Sequence, residues 1–201
     1  MTLCMAKTDG VRTIFGCDRR MSGDDWVISD HCVKWVRYGG WVILFSGVVR
    51  LLDVVHAEIR KEWTGRTYQG EPAATEYEMV EQLQKIWMDV GVSPLQDNRR
   101  VPEFPVEALL VRPGEIYGFR SQLSLVSVWS GEWTDIGAGE ELALGTLETC
   151  EKLRPRWPDV KKKQLAYENA SKRIPSIGGG LIGWSVERQN GQMVLRPLEK
   201  K

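Results

Sequence analysis

Residues 2–23, TLCMAKTDGVRTIFGCDRRMSG, and residues 29–47, SDHCVKWVRYGGWVILFSG, are short apolar runs separated by turn residues. Leu3–Lys7 reads as a first strand, Thr8-Asp9-Gly10 as a hairpin turn, and Val11–Cys17 as the returning strand. Trp26–Ile28, Val33–Val36 and Trp41–Phe45 follow, with Gly39-Gly40 as the turn between the last two. Few helix formers interrupt these runs, so the first fifty residues predict a β-meander.

Beyond this stretch the period changes. Val48, Leu51, Leu52, Val55 and Ile59 recur at three- and four-residue spacing, the stripe of an amphipathic helix. A second helix is predicted from Pro72 to Val90, with Tyr77, Val80, Leu83, Ile86 and Trp87 on one face. The two should pack as an antiparallel hairpin. Gly91–Pro105, with three prolines, reads as a loop. Strands return at Ala108–Arg112, Ile116–Arg120, Leu125–Val128 and Trp133–Ile136. A third helix opens in Gly137–Leu153, a fourth runs from Pro158 to Ile174, and two last strands cover Leu181–Val186 and Met193–Leu195. The basic run Lys161–Lys163 reads as a solvated helix face. Strand runs alternating with helix pairs favour an α+β fold, two stacked antiparallel sheets flanked by helix pairs in a four-layer αββα sandwich. All 201 residues are expected to form one domain.

Composition narrows the function classes. Twenty-seven Lys and Arg balance twenty-seven Asp and Glu, with 42% hydrophobic and 27% charged residues. A neutral chain of this kind argues against a strongly basic nucleic-acid binder or a membrane-surface protein. No apolar run nears the about 20 residues that cross a bilayer, and the N-terminus lacks the basic start and apolar core of a secretory signal. The expected location is the cytoplasm. Cys4, Cys17, Cys32 and Cys150 show no CxxC pair, so reduced and mostly buried thiols are expected. The nine Trp read as packing residues, Trp35 and Trp41 being the two nearest the charged segment.

Thr2 carries the chemical signal. A small residue after Met1 permits removal of that methionine, which would place a hydroxyl and a free α-amine on one residue. An α-amine titrates near about 7.7–8.0, so its neutral fraction at pH 7 can take the proton from its own Oγ. Asp18 lies sixteen residues after Thr2, and Lys34 sixteen after Asp18. With this spacing, TLCMAKTDG, FGCDRRMSG and SDHCVKWVRYGGWVILFSG resemble the opening of the N-terminal nucleophile hydrolases of the proteasome β-subunit and HslV type. The resemblance continues through ALLVRPGEIYGF (108–119), IGAGEELALGTLE (136–148) and GGGLIGWSVER (178–188). It covers nearly all of the chain in order, at low identity.

The resemblance implies a threonine peptidase with Thr2 as nucleophile, Lys34 lowering the Oγ pKa, and Asp18 holding Lys34. Gly47 is implied as a backbone N–H donor to the oxyanion. The other reading of the charged pair is a surface salt bridge, and of Gly47 a turn glycine. Replacing Lys34 by Ala is expected to abolish hydrolysis and spare the fold. The family implies peptide or unfolded-protein substrates, a homo-oligomeric ring, an ATPase unfoldase as a further partner, and no cofactor. Three positions depart from its pattern. Ala138 stands where the proteasome has a Ser in its glycine-led turn, and Pro175 and Gly178 stand where it has an Asp and a Ser, with Ser176 nearby. Two alternatives therefore stay open: a catalytically silent assembly subunit, and an amidase or acylase of the same fold. Gly137-Ala138-Gly139 begins a dinucleotide-type pattern, but Leu142 replaces its third glycine. Asp30-His31-Cys32 offers metal-type residues whose side chains, read as strand neighbours, would point to opposite faces.

Overall fold

The computed structural model describes residues 2–22, 26–38, 40–47, 75–89, 106–119 and 125–198. The helix expected from Val48 to Ile59 and the loop from Gly91 to Pro105 lie outside the described residues. Strands β1 (Leu3–Thr8), β2 (Thr13–Asp18), β3 (Met21–Ser22), β4 (Val27–Ser29), β5 (Trp35–Tyr38) and β6 (Trp41–Gly47) come first. Helix α1 (Glu76–Asp89) precedes β7 (Val106–Arg112), β8 (Glu115–Phe119), β9 (Leu125–Ser127) and β10 (Trp133–Gly137). Helices α2 (Glu140–Leu153) and α3 (Asp159–Arg173) follow, and β11 (Leu181–Gln189) and β12 (Gln192–Pro197) end the chain.

Among the described residues the strands form two five-stranded sheets, ordered β10-β1-β2-β11-β12 and β5-β6-β7-β8-β9, plus the small β3-β4 hairpin. All pairings are antiparallel. The opening meander is thus divided between two sheets: β1 and β2 belong to the first, β5 and β6 to the second. Local alternation cannot reveal that division, because both hairpins read alike until their faces meet.

Strand alternation sorts the core into two layers. Cys4, Ala6, Phe15, Cys17, Ile136 and Val186 of the first sheet meet Val42, Leu44, Leu109, Val111 and Ile116 of the second. Leu3, Met5, Ile14, Trp133 and Leu181 point the other way, onto Ala143, Leu147, Ala166, Tyr167 and Ala170 of α2 and α3. The outward residues Trp41, Ile43 and Phe45 of β6 are also fully buried, as are Met79 and Leu83 of α1. Trp35 packs edge-on against Phe15 and Trp184 at centroid distances of 5.7 and 5.3 Å, closing one end of the inter-sheet layer.

Helix α1 starts at a capping box. Glu78 N–H donates to Thr75 Oγ1 (3.3 Å), and Thr75 N–H donates to the Glu78 carboxylate (2.8 Å). The expected start at Pro72 therefore moves to Glu76; the signal, Thr-x-x-Glu, was present in the sequence.

The Lys161–Lys163 run is not a solvated face. Lys162 and Lys163 are buried on α3. Lys162 reaches Glu151 at 2.6 Å, and Glu151 also takes Lys7 (2.6 Å) and the Trp133 indole N–H (3.0 Å). Lys163 Nζ donates to Phe15 O at 3.0 Å. Three adjacent lysines sweep about 200° of helix surface, so one face cannot hold them all. Two of the tryptophans are likewise not packing residues: Trp26 and Trp129 are about three-quarters exposed.

Candidate active site

Thr2 stands at the foot of β1, in the central part of the first sheet. Its carbonyl accepts the Ala138 N–H at 3.0 Å. Gly137 is what permits this approach: its φ is +101°, and a Cβ there would lie 2.0 Å from Thr2 O and 2.8 Å from Ser46 Oγ. The same glycine thus brings the end of β6, Ser46-Gly47, up to Thr2. The Thr2 side chain is buried, and Oγ1 has no hydrogen-bond partner among the described residues.

Asp18, the last residue of β2, is fully buried and collects four donors. Its Oδ1 accepts Leu3 N–H and Lys34 Nζ, each at 2.8 Å, and its Oδ2 accepts Arg20 N–H at 3.1 Å and Gly178 N–H at 3.3 Å. Both charged side chains are sealed from solvent. This rules out the surface salt bridge as the reading of the pair. Lys34 Nζ and Leu3 N share one oxygen, so they lie no farther apart than two such bonds laid end to end. That places the ammonium beside the residue that follows Thr2. The Lys34 carbonyl is itself fixed by Phe45 N–H at 2.9 Å, which ties the segment before β5 to β6.

Burial also corrects the expectation that Lys34→Ala spares the fold. Removing one partner of a sealed ion pair leaves an uncompensated charge and costs about 3–5 kcal/mol.

Gly47 closes β6 opposite Val106 with φ +142°, a conformation open to glycine and strained for any other residue.

The departures from the proteasome pattern now have surroundings. A Cβ on Gly178 would lie 2.4 Å from Arg20 Cζ, so the guanidinium fills the space that a serine would need. Arg20 is held by Asp30 through Nε–Oδ1 (2.7 Å) and a second contact at 3.1 Å, and donates to Pro175 O at 2.9 Å. Sequence reasoning missed the Arg20–Asp30 pair; its only signals were Arg20's place two residues after Asp18 and Asp30's place in the rejected Asp30-His31-Cys32 triplet. That triplet lies between β4 and β5 rather than on a strand: Asp30 pairs with Arg20, and His31 Nδ1 contacts Arg19 at 3.2 Å. Ser176 Oγ is buried without a hydrogen-bond partner among the described residues, and Ala138 contributes only its backbone.

Beside Gly137 and Ala138 opens a cleft of about 390 Å³, lined also by Glu107, Glu140, Glu141, Leu142 and Ile174.

Two facing antiparallel sheets with a helix pair on one of them are a fold that this chain shares with solved structures. Thiobacillus denitrificans BPH superposes with TM-score 0.70 at 13% identity, over 94% of this chain and 100% of that one. The same protein in complex with epoxomicin gives 0.71. Eukaryotic HslV from Trypanosoma brucei gives 0.63 at 15% identity, covering 93% of this chain and all of that one. No protein-family model matches the sequence, and no curated protein matches it. Identity at this level shows the shared fold.

Proposed function

We propose that this chain is a threonine peptidase of the proteasome-like type, a single αββα domain whose nucleophile is Thr2 after loss of Met1. The observation that carries the reading is the sealed Lys34–Asp18 pair, whose shared oxygen also holds the N–H of the residue next to Thr2.

The chemistry follows from these groups. The neutral α-amine of Thr2 takes the Oγ proton, and the Lys34 charge favours the alkoxide that develops. Asp18 orients Lys34 and keeps its charge in place. Oγ attacks the substrate carbonyl, and Gly47 N–H is offered to the oxyanion. The α-ammonium returns its proton to the leaving amine. Water then adds to the acyl-enzyme ester, the amine again acting as base, and Oγ is released as the hydroxyl. No cofactor enters this sequence.

The proposed substrates are peptides or unfolded proteins, cleaved inside a homo-oligomeric ring in the cytoplasm. Exposed Trp26, Val27, Ile28 and Val33 support the assembly, since contacts between copies would cover them.

Intact mass of the purified protein tests the free Thr2, and incubation with epoxomicin, the ligand of the BPH complex, tests its reactivity. The expected result is loss of Met1 and a single adduct that Thr2→Ala abolishes and Thr2→Ser retains in part. Full hydrolytic activity with Met1 retained would overturn the proposal.

A silent assembly subunit is the second reading, favoured by one observation: Arg20 fills the space above Gly178 where the family carries a supporting serine. A processed Thr2 that takes no adduct would select it.

A further inference from the structure

Cys4 and Cys17 stand directly opposite one another on β1 and β2, in the layer between the two sheets. The hairpin's first backbone bond runs from Asp9 N–H to Arg12 O at 3.1 Å. Antiparallel pairs alternate from there in unbroken register, which makes Cys4/Cys17 a non-hydrogen-bonded pair. In such pairs the side chains come closest and the Cα atoms are about 4.5 Å apart. Disulfides span Cα separations of about 4.4–6.8 Å, so the two sulfurs can be joined without moving either strand. The thiols are free, and Cys4 Sγ reaches Phe45 O at 3.6 Å.

Their position matters more than their geometry. Cys17 is the residue before Asp18, and Cys4 is two residues after Thr2, with the Leu3–Asp18 bond on the next rung. Phe45, which Cys4 contacts, is the residue whose N–H fixes the Lys34 carbonyl. A bond between the two sulfurs therefore acts next to both anchors of the buried ion pair.

We propose that Cys4 and Cys17 form a dithiol that a hydroperoxide converts to a disulfide, and that this bond reversibly shuts down the Thr2–Asp18–Lys34 cluster. The effect on hydrolysis rests on the peptidase reading; formation of the bond does not. One thiol, as thiolate, attacks a peroxide oxygen, the O–O bond breaks and hydroxide leaves, giving a sulfenic acid. The second sulfur displaces that hydroxyl as the S–S bond forms. Two thiols and one hydrogen peroxide become one disulfide and two waters; the sulfur pair loses two electrons and the peroxide gains them. Burial pushes the Cys4 thiol up, so the pair ignores brief exposure and responds to sustained oxidant. Joining the sulfurs takes Cys4 Sγ off Phe45 O and turns the Cys4 and Cys17 side chains toward each other, one rung from the Leu3–Asp18 bond. Lys34 then loses its alignment.

The test uses the full chain with Cys32→Ser and Cys150→Ser, so that this pair is the only source of thiols. After an hour in hydrogen peroxide, intact mass should fall by two hydrogen atoms and labelling of the unfolded chain should find no thiol. Hydrolysis should drop about tenfold or more, since a displacement of about 1 Å at a catalytic group costs up to about a hundredfold, and dithiothreitol should restore it. Adding Cys17→Ala should leave basal hydrolysis in place and abolish the peroxide response. Two free thiols after treatment, oxygen addition without a disulfide, or a disulfide with unchanged hydrolysis would each overturn the proposal. If the reduced protein hydrolyses nothing, the peptidase reading fails. The dithiol is then judged by mass and by amide exchange at Leu3, which should quicken on oxidation; unchanged exchange refutes it.

Discussion

Replacing Lys163 by Met should make the protein more stable. The Lys163 side chain is almost completely buried, and its Nζ finds a hydrogen-bond acceptor in Phe15 O. It lies in a slot left by two glycines paired across β2 and β11. A Cβ on Gly183 would lie 2.2 Å from Nζ, and one on Gly16 would lie 3.1 Å from it. Burial pushes the ammonium down from 10.5 to about 8. Between those values the unfolded chain holds a proton that the folded one lacks, so stability rises with pH across that window; below about pH 8 the full penalty applies. A shift of this size corresponds to about 3 kcal/mol at pH 7, at about 1.4 kcal/mol per unit. Losing the bond to Phe15 O gives back about 1 kcal/mol, which leaves a net gain of about 2 kcal/mol for Lys163→Met. Denaturant titrations from pH 7 to pH 10.5 give the difference between variant and wild type, cancelling the other titrating groups. The advantage should be full at pH 7 and shrink above pH 8. A variant that is less stable at pH 7, or an advantage that does not change with pH, would refute the reasoning.

Lys34→Ala should lose about 3–5 kcal/mol of stability as well as hydrolysis, read by urea unfolding. A variant as stable as wild type would refute the stabilising role of the pair. Glu151, opposed by burial but held by Lys162, Lys7 and Trp133, is brought down to about 2 from 4.5. Its contribution is present above pH 4.5 and lost as pH falls towards 2. Discounted for partial exposure, Glu151→Gln should cost about 1–2 kcal/mol at pH 7 and nothing near pH 2, measured by thermal unfolding at both. Gly178→Ser, which restores the proteasome-type residue, should displace the Arg20 guanidinium and destabilise the chain by about 1–3 kcal/mol. Pairing it with Arg20→Ala should recover part of that loss, and a strictly additive double variant would show that the two do not touch.

The sequence by itself determined the order of the strands other than β3, the two C-terminal helices, and the spacing of Thr2, Asp18, Lys34 and Gly47. These are local properties: apolar period, turn glycines, and distances along the chain that a hairpin converts into proximity. Only the tertiary structure divided the opening strands between two sheets, because period-2 alternation is identical in both. It alone sealed Asp18 and Lys34 from solvent, since charge patterns carry no burial. It also turned Lys162 and Lys163 inward, one onto the Glu151 network and one into a glycine slot formed by strands at opposite ends of the chain. Arg20 owes its place to contacts with Asp30, Pro175 and Gly178, and the last two lie more than 150 residues away. Such a contact is created by packing, and no local pattern announces it.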